Sequence, residues 1–193
     1  SDNSGSVETG FKVHDASNNV KATAGADATS AVEGSLVANT QYTRHAHSSN
    51  SSSATRYEYP ASGLSAASPA ASAYTCAIAP AVTPASYQYA TNFTITASGY
   101  GAGYVQYYRY AWDQSTTHSW TGSESTWCSS GCNKTDTTFT ATADGSWYLH
   151  LKAYNGDNLA CAGSEVDFGP YKTDTTPPVA GAVTPANIDA NSY

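Results

Sequence analysis

Apolar and polar positions alternate along this chain in short runs, separated by Gly, Asn, Asp and Pro, and helical periodicity is nearly absent. The clearest run is Ser146-Trp147-Tyr148-Leu149-His150-Leu151-Lys152-Ala153-Tyr154, preceded by Thr137–Ala143 and an Asp144-Gly145 turn. Trp147, Leu149, Leu151 and Ala153 fall on one side, and Ser146, Tyr148, His150 and Lys152 on the other. That is the period-two signature of a half-buried strand entered through a tight turn. The cluster Asn155-Gly156-Asp157-Asn158 then predicts a turn, followed by a return strand near Glu165–Lys172. Tyr104–Trp112 and Asn92–Ala97 predict two more strands. Several short strands with regular turn signals indicate an all-β sandwich.

An internal repeat marks the organisation. Ala81-Val82-Thr83-Pro84-Ala85 recurs as Ala182-Val183-Thr184-Pro185-Ala186, 101 residues later. That spacing is close to the length of one Ig-type sandwich, so the second copy is expected to open a further unit. A proline-bearing link precedes each copy, Ala79-Pro80 and then Asp174-Thr175-Thr176-Pro177-Pro178. Such links stiffen the joint between units. The expected division is 1–78, 79–175 and a link with an opening strand over 176–193.

Composition narrows the function classes. Eight Lys+Arg stand against 15 Asp+Glu, a net charge of −7, which disfavours a nucleic acid or an anionic membrane as partner. Charged residues make up only 12% of the 193, about half the usual share, so Ser, Thr, Asn and Gly must carry solubility. With 15 Tyr, 15 Gly and no Met, the profile is that of a loop-rich extracellular or cell-surface protein. Mean hydropathy is −0.42 and no apolar run approaches the roughly 18 residues of a membrane span. The opening Ser1-Asp2-Asn3-Ser4-Gly5 has neither the basic start nor the apolar core of a secretion signal, as expected for an interior piece of a longer precursor.

Two resemblances refine the fold. Asp2-Asn3-Ser4-Gly5, Glu8–Val13, Val20–Ala24, Leu36-Val37-Ala38-Asn39-Thr40-Gln41-Tyr42 and Ala73-Tyr74-Thr75 together resemble a bacterial fibronectin type III domain from its third strand onward. The resemblance implies that the first two strands are missing and that Tyr42 is the corner tyrosine whose hydroxyl bonds nearby backbone. Arg44 and Ala46 depart from the pattern, because alternation from Tyr42 turns both toward the core. Residues 79–175 are similar to the Ig-like sandwiches strung along bacterial surface and secreted proteins. The carriers are Tyr108-Arg109-Tyr110-Ala111-Trp112, Gly145–Ala153 with Trp147, and the closing Gly169–Pro178. A first domain without opening strands and a tail that only begins a domain suit a window on a tandem array, the favoured reading. They also suit strand donation between copies through Val179 to Tyr193.

The four cysteines, Cys76, Cys128, Cys132 and Cys161, suggest two disulfides with three possible connectivities, and their spacing is not that of a zinc site. The Ig-like topology implied by the resemblance brings them to one end of the sandwich. It implies Cys128–Cys132 as a loop clamp and Cys76–Cys161 as a staple across the junction of the two units. His14, His45 and His47 alternate to the outward face of neighbouring strands, a set that zinc or copper takes. With no acidic orienting partner evident, they are expected to be solvated surface histidines, with no metal and no cofactor bound. Asp113, Asp136, Asp144, Asp157 and Asp167 lack the spacing of a calcium loop and are expected to serve turns. Asn50, Asn92 and Asn133 stand in N-glycosylation sequons, relevant only in a host that attaches such glycans, and Ser48–Ser53 has the composition of a loop tip.

No nucleophile motif, phosphate loop or metalloprotease motif occurs, and no enzyme is expected. The aromatics Tyr104, Tyr107, Tyr108, Tyr110, Trp112, Trp120 and Trp127 crowd one region and raise a second class, an accessory carbohydrate-binding module of a secreted polysaccharide-active enzyme. Their plainer account is one core face and one cross-strand aromatic ladder. The expected function is therefore non-catalytic: a stalk, spacer, filament or adhesin module of an extracellular multidomain protein, whose partners are neighbouring domains, copies of itself or glycans.

Overall fold

The computed structural model describes residues 8–50, 64–128 and 135–181. Among them every regular element is a strand. A first sheet is built from β1 (Glu8–His14), β2 (Val20–Gly25), β3 (Gln41–Asn50) and β4 (Ala71–Tyr74), in the order β2-β1-β3-β4. Antiparallel pairing sets Phe11 against Ala24 and Ser48, and Val13 against Ala22 and Ala46. One face of this sheet thus carries Phe11, Val13, Ala22, Ala24, Tyr42, Ala46, Ala71 and Ala73. The other carries Lys12, His14, Thr43, His45, His47 and Ser72.

The sandwich follows. A three-stranded sheet, β10-β7-β5, consists of β5 (Ala81–Thr83), β7 (Asn92–Ser98) and β10 (Thr135–Thr140). A five-stranded sheet, β6-β12-β11-β8-β9, is made of β6 (Tyr87–Gln88), β8 (Tyr107–Asp113), β9 (Ser125–Cys128), β11 (Gly145–Tyr154) and β12 (Glu165–Thr173). The chain leaves β5 in one sheet and pairs β6 parallel to β12 in the other, which closes an edge of the larger sheet. The first copy of the sequence repeat is β5; the second lies outside the described residues.

The order β9-β8-β11-β12 inside the five-stranded sheet has the same connectivity as β2-β1-β3-β4. The described residues therefore hold a two-sheet sandwich and, ahead of it, a sheet with the layout of its larger half.

Alternation explains the core. Phe93, Ile95 and Ala97 of β7 and Phe139 of β10 meet Tyr108, Leu149, Leu151, Ala153 and Tyr171 from the facing sheet, with Val105 sealing one end. Trp112 joins the layers, its ring within 5.7 Å of those of Phe93, Phe139, Trp147 and Tyr171, while its indole N–H donates to Thr140 O. Trp147 is buried and donates to Ala143 O. Thr94 of β7 and Thr138 of β10 face solvent, where their hydroxyls share a hydrogen bond of 3.1 Å. Burial of the phenols sets their acidity: desolvation pushes Tyr108 up to about 12 and raises Tyr171 further, whose hydroxyl donates to Pro84 O.

Three expectations change. The strand foreseen from Tyr104 begins at Tyr107, because a turn over Gly101–Tyr104 exposes Tyr104 and buries Val105, against the alternation. The Asp144-Gly145 turn joins two sheets rather than two paired strands, since β10 pairs with β7 and β11 with β8 and β12. Arg44 and Ala46 do share the face of Phe11 and Val13, but no second sheet packs there among the described residues. Arg44 is only half-buried, and Glu33 holds its guanidinium through two hydrogen bonds of 2.6 and 2.8 Å.

The two halves should differ in what they lose on truncation. Leu149→Ala, in a site with no exposed surface, is expected to cost about 2–5 kcal/mol in urea unfolding. Phe11→Ala, on the half-exposed face, is expected to cost under about 2 kcal/mol in the dilute chain. Equal losses would show that the first sheet has a full core.

Candidate functional site: the junction between sheet and sandwich

The residues that connect the first sheet to the sandwich form the most elaborate polar constellation of the described chain. Cys76, just after β4, is bonded to Cys161 in the β11–β12 loop, with an S–S distance of 1.96 Å and a sequence separation of 85. Asn39, 1% exposed and in a left-handed conformation before β3, crosses the junction twice. Its Nδ2 donates to Gly101 O at 3.0 Å, and its Oδ1 accepts from the Gly156 amide at 2.9 Å. Its own amide donates to Cys76 O at 3.0 Å.

Asn155, 2% exposed, answers from the other side. Nδ2 donates to Tyr74 O and Thr75 O at 3.3 and 3.1 Å, while Oδ1 accepts from the amides of Asp157 and Leu159. Asp157 Oδ2 accepts from the Tyr74 amide at 2.7 Å. Backbone bonds from Gly103 to Ala38 O and from Ile78 to Tyr104 O complete the seam. Gly156 lies under the Tyr74 ring, where an added Cβ would come within 2.5 Å of ring carbons. Every one of these donors and acceptors is short-range, so the arrangement fixes both distance and direction between the parts.

Asn155-Gly156-Asp157 is thus more than the turn expected from composition, and Asn39 carried no signal beyond its place in a motif. Asp144 is likewise more than a turn residue. Its carboxylate accepts from the Thr175 hydroxyl and amide at 2.6 Å each, and from the Thr176 hydroxyl, tying the link before Pro177-Pro178 back to the sandwich. The Thr175 hydroxyl above all, with Thr176 and the Thr175 amide, holds this carboxyl down at about 2.

The remaining expected site residues fall as follows. The Tyr42 hydroxyl accepts from the Val37 amide at 3.1 Å, five residues upstream. Cys128 closes β9; Cys132, Asn133 and the Cys128–Cys132 bridge lie outside the described residues. Asn50 ends β3, and exposed Asn92 accepts from the Thr140 hydroxyl. The aromatic crowd divides: Tyr108, Tyr110, Trp112 and Trp127 pack inward around Phe139 and Phe93, so they form no external patch. Tyr107 stacks on Tyr154 across the outer face at 4.7 Å, as a cross-strand ladder does.

On that outer face alternation gave His150 a polar setting but not its burial. It has no exposed surface, with Nδ1 2.6 Å from Asp167 Oδ1 and Nε2 3.3 Å from Asp113 Oδ1. His118 stacks on it at 5.4 Å and contacts Asp113 Oδ2, with Trp120 at the His118 edge. Burial works to raise the Asp113 carboxyl, but the Ser115 amide and the two imidazoles hold it below its ordinary value. Asp167 therefore serves a histidine, and Asp113 serves two histidines as well as the turn in which it accepts from the Ser115 amide at 2.8 Å. The side chain of Asp136 lies outside the described residues.

Two outcomes follow. Asn39→Leu, which strands the Gly156 amide and Gly101 carbonyl, is expected to destabilise by about 1–3 kcal/mol and to speed hydrogen exchange at Gly156 selectively. The Asp144 tether is present above its ordinary value of 3.8 and is lost as pH falls through about 2, because the folded carboxyl is the stronger acid. The Thr175 amide resonance should follow that titration and lose it in Asp144→Ala; a midpoint near 3.8 would mean no tether.

No family model matches the sequence, and no curated protein matches it either. Among solved structures the chain is similar to the fibronectin(III)-like modules of Clostridium thermocellum CbhA, at 13% identity over 94% of this chain and 87% of that one, with a TM-score of 0.31. A superposition that slight does not bear on the fold or the function of this chain.

Proposed function

We propose that this chain is a non-catalytic structural segment of an extracellular multidomain protein, a stiff spacer or stalk with residues 1–78 and 79–175 as its modules. The observation that carries the reading is the junction. A disulfide, two buried carboxamides that cross the seam and a carboxylate–amide bond leave the sheet and the sandwich no hinge between them. A flexible linker would be the economical design for two independent binding modules; a seam of directional bonds suits transmission of force or maintenance of length. The disulfide favours an oxidising compartment, and no described helix is long and apolar enough to cross a membrane.

The partner in this reading is a neighbouring domain or another copy. Phe11, Val13, Tyr42 and Ala46 stay half-exposed on the apolar face of the first sheet, and of its described apolar side chains only Ala22 is buried. A strand supplied from outside would complete that half-sandwich, with Val179 to Tyr193 as the candidate donor. Attachment in filaments or adhesion is a use of the same rigidity.

Nuclear relaxation of the oxidised chain is expected to give one tumbling time for both the first sheet and the sandwich. Cys76→Ser with Cys161→Ser is expected to cost about 2–5 kcal/mol and to loosen that coupling. Independent tumbling of the two parts in the oxidised chain would overturn the spacer reading. Saturable glycan binding lost in Trp120→Ala would replace it with the carbohydrate-binding one.

A further inference from the structure

The polar face of the first sheet gathers three imidazoles. His14 of β1 is the register partner of His45 of β3, and His47 follows two positions along on the same face. Their ring centroids lie 5.7, 4.8 and 5.1 Å apart, and one nitrogen of each falls within 4.8 Å of the others. Strand pleating alone produces this convergence: a His-x-His pair on one strand and a His directly opposite on its neighbour present their rings to one point.

The histidines are not the solvated surface groups that alternation suggests. His14 is 5% exposed and His47 9%. Each buried ring is oriented by a backbone carbonyl: His14 Nδ1 lies 3.0 Å from Asn18 O, and His47 Nδ1 2.7 Å from Ser65 O. A carbonyl only accepts, so Nδ1 of both rings is the donor, and in the neutral imidazole the lone pair is on Nε2. His14 Nε2 is buried with no hydrogen-bond partner, an uncompensated desolvation that a ligand would relieve. The Asn18 carbonyl is itself fixed. Asn18 sits in a left-handed turn whose Asp15 carboxylate accepts from the amides of Ser17 and Asn19 at 2.9 Å each.

Ring orientation through a carbonyl on the far nitrogen is the outer-shell device that metal-binding histidines use in place of a carboxylate. Absence of an acidic partner therefore does not count against this site.

We propose that His14, His45 and His47 form a binding site for one divalent transition-metal ion of the zinc class, with a fourth coordination position open. Imidazole is a borderline ligand that suits zinc and copper and offers little to calcium or magnesium. In a tetrahedral zinc site ligand nitrogens stand about 3.3 Å apart at zinc–nitrogen distances of about 2.0–2.1 Å, so each ring closes in by about 0.8 Å at most. Lys12, the register partner of His47, is the neighbouring cation on this face and tempers the affinity. The ion would join the β1–β2 turn, β3 and the segment at Ser65, and so brace the sheet that lacks a facing layer. The proposal stands apart from the spacer reading, since it rests on the opposite face of the sheet from the apolar one and on none of the junction residues.

The test uses the untagged, fully oxidised chain, stripped with chelator and shown to hold no free thiol. Zinc titrated against a chromophoric competitor is expected to bind at one ion per chain, and cobalt is expected to give the visible absorption of a four-coordinate ion. His45→Gln, whose ring is only half-buried, and His47→Gln should each weaken binding at least tenfold, whereas His118→Gln should leave it unchanged. Zinc should also slow hydrogen exchange at the Asn19 and Ser65 amides of the parent chain, a readout independent of whether a variant folds. No saturable binding by the parent chain, or binding retained in the His45→Gln, His47→Gln double variant, would overturn the site.

Discussion

A sheet with one apolar face needs a second layer, and in this chain the first sheet has none among the described residues; what holds it in place is its end. The seam between Asn39, Asn155, Asp157 and the Cys76–Cys161 bridge attaches β3 and β4 to the loops at one end of the sandwich. Burial gives these bonds their weight. An amide that is withdrawn from water and fully paired contributes modestly when intact, yet costs the whole desolvation of its partners when broken. Asn39 and Asn155 each satisfy backbone groups on both sides, so loosening one side leaves polar atoms unpaired on the other.

That attachment shapes what each face of the sheet is free to do. The hydrophobic cluster is confined to the region from Ala77 to Tyr171, with no member from β1–β4. The first sheet therefore exposes its apolar stripe and draws its order from backbone pairing, the seam, the Glu33–Arg44 pair and the turn around Asp15. Its opposite face buries two imidazoles instead of hydrocarbon. Polar groups in such a place orient one another sharply, which is how a surface of short side chains comes to hold three rings at one point.

Much of the sandwich was legible in the chain. Leu149, Leu151 and Ala153 are buried where alternation put them, and the pairing of Cys76 with Cys161 is the staple that the Ig-like resemblance implied. Period-two patterning reports the core face of a strand directly, because hydrophobic burial acts residue by residue. It failed where a local turn broke the pleat, at Tyr104 and Val105, and where a strand's neighbour lay in another sheet, as for β10 and β11. The sites were less legible. His150 was placed on the correct face, but its burial comes from the loop that carries His118 and Trp120, distant in sequence.

By itself the sequence determined the strand periodicity, the turns at Asp144-Gly145 and Asn155–Asn158, the acidic and weakly charged surface and the presence of His14, His45 and His47 on outward faces. These are properties of single residues or of neighbours within a few positions. Tertiary structure alone decided which polar side chains cross between units, which imidazoles lose water and which carbonyl holds each ring. Asn39 meets Gly156 across 117 positions, and His47 meets Ser65 across 18. Hydrogen bonds of that kind depend on angle and on tenths of an ångström, and no local pattern of apolar and polar residues encodes them.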